Sequence, residues 1–463
     1  MKGHRFEPQI LRQYDIRGTV GETLHTADAY ALGRSFGAVV GAGDGRLVCV
    51  GYDGRLSSPA LEESLVEGLC DSGMRVLRIG MGPTPALYFA TRAMHADGGI
   101  MITGSHNPPD HNGFKMMLGN APFWGGDIQK LGDIAAKGDW PQGDGGAMDL
   151  PVMEAYVTRL LIDYTAPRGL KVAWDAGNGS AGDAMVRLTE QLPGQHILLN
   201  EVVDGTFPAH HPDPTVPENL LQLREAVAAQ GCDLGIAFDG DGDRIGVVDG
   251  QGRILWGDQL LSIFAADLLA RRPGATVIAD VKASQVLFDE IARLGGKQLM
   301  AATGHSIIKS KMAEHSAPLA GEMSGHIFFA DRYYGFDDAL YAAVRLLDIV
   351  ARGDRSLAAM RDALPQVVNT PEIRFDVPED RKFKIVDEVK ARLAASGATL
   401  DDTDGVRVRN DDGWWLLRAS NTQAVLVVRC ESRNTAGLRR LKEIVAEQLR
   451  QCGVQAPDFR KIC

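Results

Sequence analysis

Six cysteines are scattered through 463 residues without one C-x-x-C pair, so neither a zinc site nor a disulfide framework is signalled. Reduced thiols of a cytosolic protein fit that scatter. A basic excess is missing too. Asp plus Glu number 60 against 49 Lys plus Arg, a net charge of −11. Such a chain lacks the cations that neutralise a polynucleotide backbone, which argues against a nucleic-acid partner. No run approaches the ~18 apolar residues of a membrane span, and the opening MKGHRFEPQI contains no apolar stretch of leader length. A soluble, cytoplasmic protein with no membrane partner is therefore expected. A Walker A sequence is also absent.

What is present is a β-then-α rhythm, met three times. LVCVGYDG (47–54), KVAWDAG (171–177) and TVIADVK (276–282) are short apolar runs carrying aspartate at their ends, each followed by a segment of helical spacing. The repeat of roughly a hundred residues predicts three similar α/β units. Each unit has a second apolar run ending in a chemically loaded loop: GIMITGSHNPP, LGIAFDGDGDR and LAGEMSGH. Open α/β sheets place ligands at strand ends, so three such loops predict a site assembled between units. From about residue 367 the chain changes character, with strand-like runs at 406–408, 414–418 and 424–429 and a final amphipathic helix. The expected division is 1–148, 149–253 and 254–366 for the three α/β units, and 367–463 for a smaller α+β domain.

In DGDGDR (239–244), Asp239, Asp241 and Asp243 alternate, so all three can face one cation in an extended segment. Magnesium wants oxygen ligands of this kind. An EF-hand is ruled out because Arg244 stands at the glycine position and Gly250 at the glutamate position. A solvated acidic turn is the plain alternative, weakened by the mutual repulsion of three carboxylates. Ser105, between glycine and a proline pair in TGSHNPP, is either a loop cap or a phosphoryl carrier. A phosphoserine would bring about −1.5 to −2 charges and three acceptor oxygens to the aspartates.

Arg17, Lys115, Arg244, Lys282 and His305 lie beside glycine-rich loops and could surround a transferring phosphoryl group. Glu322 and Ser324 of GEMSGH have the spacing for two sugar hydroxyls, and RASNT (418–422), with Arg429 in addition, suits a phosphate. GNGSAG (177–182) matches a dinucleotide fingerprint on paper, but Asp175 is an awkward neighbour for a pyrophosphate.

QYDIRG, TGSHNPPDHNGFK, DGDGDR, GEMSGH and RASNT stand in the order and spacing of the α-D-phosphohexomutase superfamily, and the chain most resembles its bacterial phosphomannomutase/phosphoglucomutase branch. The likeness runs from about residue 10 to 455. It implies four domains around a central cleft and a reversible exchange of hexose 1-phosphate and 6-phosphate, glucose or mannose, through a 1,6-bisphosphate. By the same resemblance Ser105 is the phosphoserine and, with Asp239, Asp241 and Asp243, holds Mg²⁺. Arg17, His106, Lys115 and Arg244 surround the moving phosphoryl group, Lys115 being a candidate general acid/base.

Glu322, Met323, Ser324, Gly325 and His326 form the sugar loop. Tyr14, Lys282 and His305 line the cleft, and Arg418, Ala419, Ser420, Asn421 and Thr422 bind the phosphate that stays. Glucose 1,6-bisphosphate or mannose 1,6-bisphosphate is the implied activator, and a monomer is expected. GEMSGH and RASNT differ from the loops of phosphoglucosamine mutases, while Gln423–Ala424 departs from many relatives at the edge of the phosphate loop. A metal-dependent sugar phosphatase and a non-enzymatic sugar-phosphate sensor are the rivals from other classes.

Overall fold

The computed structural model describes residues 3–421 and 423–457, so Thr422 lies outside the described residues. The three apolar repeats form the strands Leu47–Tyr52, Leu170–Asp175 and Thr276–Asp280, each the inner strand of a separate sheet. Each pairs in parallel with the strand that ends in a loaded loop: Val48 with Gly98, Val172 with Leu234, Ile278 with Ala320. Each of those partners then pairs antiparallel with the strand that leaves the loop: Ile102 with Phe114, Ile236 with Val247, Ala320 with Phe328. On its other side the inner strand pairs in parallel with Arg75–Met81, Gly194–Leu199 or Lys297–Ala301.

The four-strand order is thus the same in all three units, and the same connection carries the chemistry in each. These strands read as unbroken apolar runs because helices cover both faces of their sheets. Gly98–Ile102 and Leu234–Phe238 are buried at every residue.

The first sheet is widened by Ile16–Thr19, which pairs with the far edge of His111–Leu118, and by Gly146–Asp149 beside Arg75–Met81. That last strand lies in the glycine-rich segment 141–151. The turn at 249–253 is the bend of a hairpin whose return strand, Ile254–Leu255, stays in the second sheet. One apolar core runs through the second and third units and takes in Tyr88 and Phe89 of the first; the first and the C-terminal domain have cores of their own. The buried helix Ala339–Arg352 stands at the joint between the second and third units.

The C-terminal domain is an antiparallel sheet built on Val406–Asn410, Gly413–Ala419 and Val425–Ser432. Its core takes side chains from the helices Lys382–Ala395 and Thr435–Gln451. Trp414 and Leu416 turn the opposite way and pack against Val281, which seats this domain on the third unit. Among the described residues no helix is long and apolar enough to cross a membrane.

Candidate active site

The first two loaded loops meet face to face. Ser105 is buried and sits at φ +50°, the left-handed region that few residues other than glycine enter. Such strain persists only where the surroundings over-determine it. Here they do. The fully buried Arg55 donates to the carbonyls of Ser105 (2.7 Å), Asn107 (2.6 Å), His111 (2.9 Å) and Pro108. Asp53 pairs with that guanidinium at 3.2 Å and accepts the Gly104 N–H at 3.0 Å. From across the gap Gly240 presses on the same turn. A Cβ at Gly240 would stand 2.3 Å from the Ser105 carbonyl oxygen, so only glycine allows the approach.

This clamp sets the serine hydroxyl on the aspartates. Ser105 Oγ donates to Asp239 Oδ2 at 2.9 Å and lies 3.1 Å from His106 Nδ1. All three aspartates are fully buried. Asp239 Oδ1 accepts the backbone N–H groups of Asp243 and Arg244, both at 3.1 Å, which folds the loop back on itself. Asp241 Oδ2 accepts from Thr84 Oγ1 (2.5 Å) and Lys115 Nζ (2.6 Å), and Asp243 Oδ2 accepts from Lys115 at 2.5 Å. The remaining oxygens, Oδ1 of Asp241 and of Asp243, are buried without a partner. One ligand atom from each aspartate falls within 4.8 Å of the others. Orphaned carboxylate oxygens around a common point are what a bound cation would satisfy, so the donor set fits a hard metal ion.

Charge tells the same story. Burial pushes the Asp239 carboxyl well up, and the neighbouring Asp241 and Asp243 push it further. Burial would raise Asp241 too, but the Lys115 ammonium outweighs it and holds that carboxyl below its ordinary range. Two of the three carboxylates share one ammonium. Burial would strip Lys115 of its proton, yet Asp241 and Asp243 together keep its pKa well above the usual lysine value. Lys115 is thus the counter-charge of both carboxylates. His106 is driven the other way, by burial and by Arg244 and Arg17, so its imidazole is neutral.

Arg17 binds Asn107 Oδ1 at 2.9 Å, beside the serine turn. Arg244 reaches across to the sugar loop, where its Nε–H donates to His326 Nε2 at 3.0 Å. That loop is hooked to the metal loop by a backbone bond from Ile245 N–H to the Gly325 carbonyl, 3.1 Å. Gly325 is at φ +91°, and a Cβ there would meet the Ile245 carbonyl at 2.6 Å. Glu322 is buried; its Oε1 accepts from Gly304 N–H at 2.5 Å and its Oε2 from Ser324 at 3.3 Å. Met323 N–H donates to Asp280 at 3.1 Å, and burial raises the Asp280 carboxyl to about 6. Lys282 pairs with Glu372 at 3.1 Å, and His305 stacks on His326 with 5.5 Å between centroids.

The phosphate loop closes the ring. Arg418 Nε donates to Asp404 Oδ2 at 2.9 Å, and the same oxygen accepts the Thr303 N–H at 3.0 Å. Tyr14, from the first unit, donates to the Thr303 carbonyl at 2.8 Å and accepts from Asn421 Nδ2 at 2.8 Å. Ala419 and Ser420 are buried beside them. Arg429 does not join this loop. It is buried against Asp258 at 3.5 Å and the Lys282 carbonyl, a contact between domains rather than a phosphate ligand. GNGSAG is not a nucleotide loop either: Ser180 N–H and Oγ both donate to the Gly240 carbonyl, at 3.0 and 3.2 Å, and brace the aspartates.

Residues absent from the sequence-based expectation are Arg55, Thr84, Thr303 and Asp404. The one available signal was DGR (53–55), placed at a strand end like the other loaded loops.

Four consecutive family models match, described as the α/β/α domains I, II and III and the C-terminal domain of phosphoglucomutase/phosphomannomutase, over residues 8–141, 153–252, 256–368 and 372–448. The chain belongs to the phosphoglucomutase/phosphomannomutase family. A phosphomannomutase/phosphoglucomutase of Pseudomonas putida is 46% identical over 440 residues, 95% of each chain. A phosphoglucomutase of Neisseria gonorrhoeae is 44% identical over 94% of this chain and 95% of its own. A crystal structure of a phosphoglucomutase/phosphomannomutase family protein from Burkholderia thailandensis superposes with a TM-score of 0.93 at 42% identity, covering 98% of this chain and 99% of that one.

Proposed function

We propose that the chain is a reversible phosphohexomutase that interconverts hexose 1-phosphate and hexose 6-phosphate, of glucose and/or mannose, with Ser105 as the phosphoryl carrier. The observation that carries this reading is the contact of Ser105 Oγ with Asp239 at 2.9 Å, inside a buried carboxylate triad with two unpartnered oxygens. Asp239, Asp241 and Asp243, with the phosphate on Ser105, would hold Mg²⁺, which supplies positive charge to the phosphoryl oxygens.

The P–O bond to Ser105 Oγ breaks as a bond forms to the free sugar hydroxyl, leaving a 1,6-bisphosphate. The other phosphate then returns to Ser105. Arg17, Arg244 and the Lys115 ammonium stand where charge spreads in the transition state. Lys115 is the candidate general acid/base at the exchanging oxygens, with the neutral imidazole of His106 beside Ser105 Oγ. Glu322 and Ser324 grip the 3- and 4-hydroxyls. Glucose and mannose differ only at the 2-hydroxyl, so this grip accepts both.

Arg418, Ser420, Asn421 and Thr422 receive the phosphate that stays, and Tyr14, Lys282 and His305 line the space between. A monomer is the proposed working unit. The test is a coupled assay with glucose 1-phosphate and with mannose 1-phosphate, with and without glucose 1,6-bisphosphate. Activation by the bisphosphate without release of inorganic phosphate is expected. Stoichiometric phosphate release would make the protein a phosphatase instead.

A further inference from the structure

A cavity of about 550 Å³ lies between the first and third units, and no residue of the serine turn, aspartate triad, sugar loop or phosphate loop lines it. Its size and its place at a joint between units are those of a small-molecule site. Its charge is one-sided. Arg92 comes from the helix Thr84–Ala93, Arg272 and Lys309 come from the third unit, and no carboxylate lines the cavity, in a chain of net charge −11.

Lys309 is already occupied: its ammonium binds Asp337 Oδ1 at 2.9 Å and stands 4.4 Å from the centre of the Tyr88 ring. Arg92 and Arg272 are not. Both are exposed, and among the described residues neither makes an ion pair or a side-chain hydrogen bond. Arg271, one residue away, is paired with Asp267 at 2.6 Å. Three aromatic rings line the same space. Tyr88 packs on Phe336 with 5.4 Å between centroids, Tyr334 stacks on Phe336 at 5.7 Å, and the Arg92 guanidinium stands 5.8 Å from the Tyr334 ring centre.

We propose that this cavity binds a nucleoside monophosphate, its phosphate on Arg92 and Arg272 and its base against the half-buried ring of Tyr334. A phosphate monoester carries about −1.5 to −2 charges, which two guanidinium groups balance, and their planar forks match its oxygens. Aromatic faces take a planar base. A sugar phosphate would answer the arginines and leave the rings uncovered; an apolar ligand would do the reverse.

The site is wired to the reacting centre without being part of it. Thr84, Tyr88 and Arg92 follow at four-residue intervals, so they share one face of their helix. Thr84 Oγ1 holds Asp241 at 2.5 Å, and the Tyr88 hydroxyl lies 3.5 Å from Lys309 Nζ. One helix therefore runs from the aspartates to the cavity. A nucleotide seated on Arg92 and Arg272 bridges the first and third units and is held together with a sugar phosphate, not in its place.

Isothermal titration calorimetry of the full chain with AMP, GMP, CMP and UMP, with and without saturating glucose 1,6-bisphosphate, tests the site. At least one of the four is expected to bind once per chain in both conditions and with equal affinity in Arg418→Ala. That affinity is expected to fall at least about tenfold in Arg92→Ala and in Arg272→Ala. Both positions are exposed, and unchanged melting temperatures will show that these variants fold. The proposal is overturned if none of the four binds, or if both arginine variants keep wild-type affinity. Displacement by the bisphosphate, or loss in Arg418→Ala, would place the nucleotide in the cleft and overturn it too. Inorganic phosphate binding as tightly as the best nucleotide would remove the base from the account and equally overturn it.

Discussion

The two loops proposed to handle phosphate are held in opposite ways. The turn carrying Ser105 is clamped by groups with no alternative partner: a fully buried Arg55 on four carbonyls, Asp53 behind it, and Gly240 against its back. The segment 418–421 is held by groups a ligand could displace. Arg418 leans on Asp404, and Asn421 reaches Tyr14 from a domain more than 400 residues earlier in the chain. The reacting centre is fixed before substrate arrives, as transition-state stabilisation demands. The anchoring loop keeps exchangeable contacts, which suits an intermediate that must leave one pose and enter another.

The comparison can be broken at its strongest point first. Ser105→Ala is expected to lower kcat by orders of magnitude while calorimetry shows sugar-phosphate binding largely kept; near-normal turnover would refute the carrier role. Arg55→Ala touches no substrate, yet loosening the turn by an ångström should cost kcat roughly a hundredfold. It should also leave buried carbonyls unpaired and the Asp53 carboxylate without its counter-ion, at about 3 kcal/mol of stability. An Arg55→Ala protein with unchanged kcat and melting temperature would show that the clamp is dispensable.

On the other loop, Arg418→Ala removes a charge-assisted phosphate contact of about 1.5–3 kcal/mol, which predicts a rise in KM of tenfold or more with the phosphoenzyme still formed. An unmoved KM would end the assignment of that loop.

The smallest effect lies away from both loops. The bond to Asp175 raises the His210 imidazole above its ordinary value. Stability from this pair is therefore complete below the ordinary histidine pKa of about 6.5 and lost as pH rises through the raised value. Thermal melts of wild type and His210→Asn should differ most in mild acid and converge above neutrality.

The same contrast explains what the sequence disclosed. DGDGDR and TGSHNPP were legible because their chemistry is local: alternate carboxylates and one serine in a turn that cannot be helix. The strands were legible because parallel sheets demand unbroken apolar runs, and the order of loaded loops followed from the repeat. Arg55 was not, since its partners are backbone carbonyls some fifty residues on, which leave no mark in side-chain spacing. Thr84 on Asp241, and Asp404 on Thr303, are contacts between units for the same reason. Arg429 misled because an arginine near a phosphate loop and an arginine buried at a domain contact look alike in one dimension. Lys115 was expected among the reacting groups from its loop, but its bonds to Asp241 and Asp243 join two units and leave no mark in the sequence.

The central claim is that Ser105 stores a phosphoryl group for a sugar rather than for water. Intact-mass analysis after incubation with glucose 1,6-bisphosphate tests it most directly. One phosphoryl group per chain is predicted, mapped to Ser105 and absent from Ser105→Ala, and discharged by added glucose 1-phosphate with bisphosphate as the product. A chain that stays unmodified, carries the group elsewhere, or discharges it as inorganic phosphate would contradict the account.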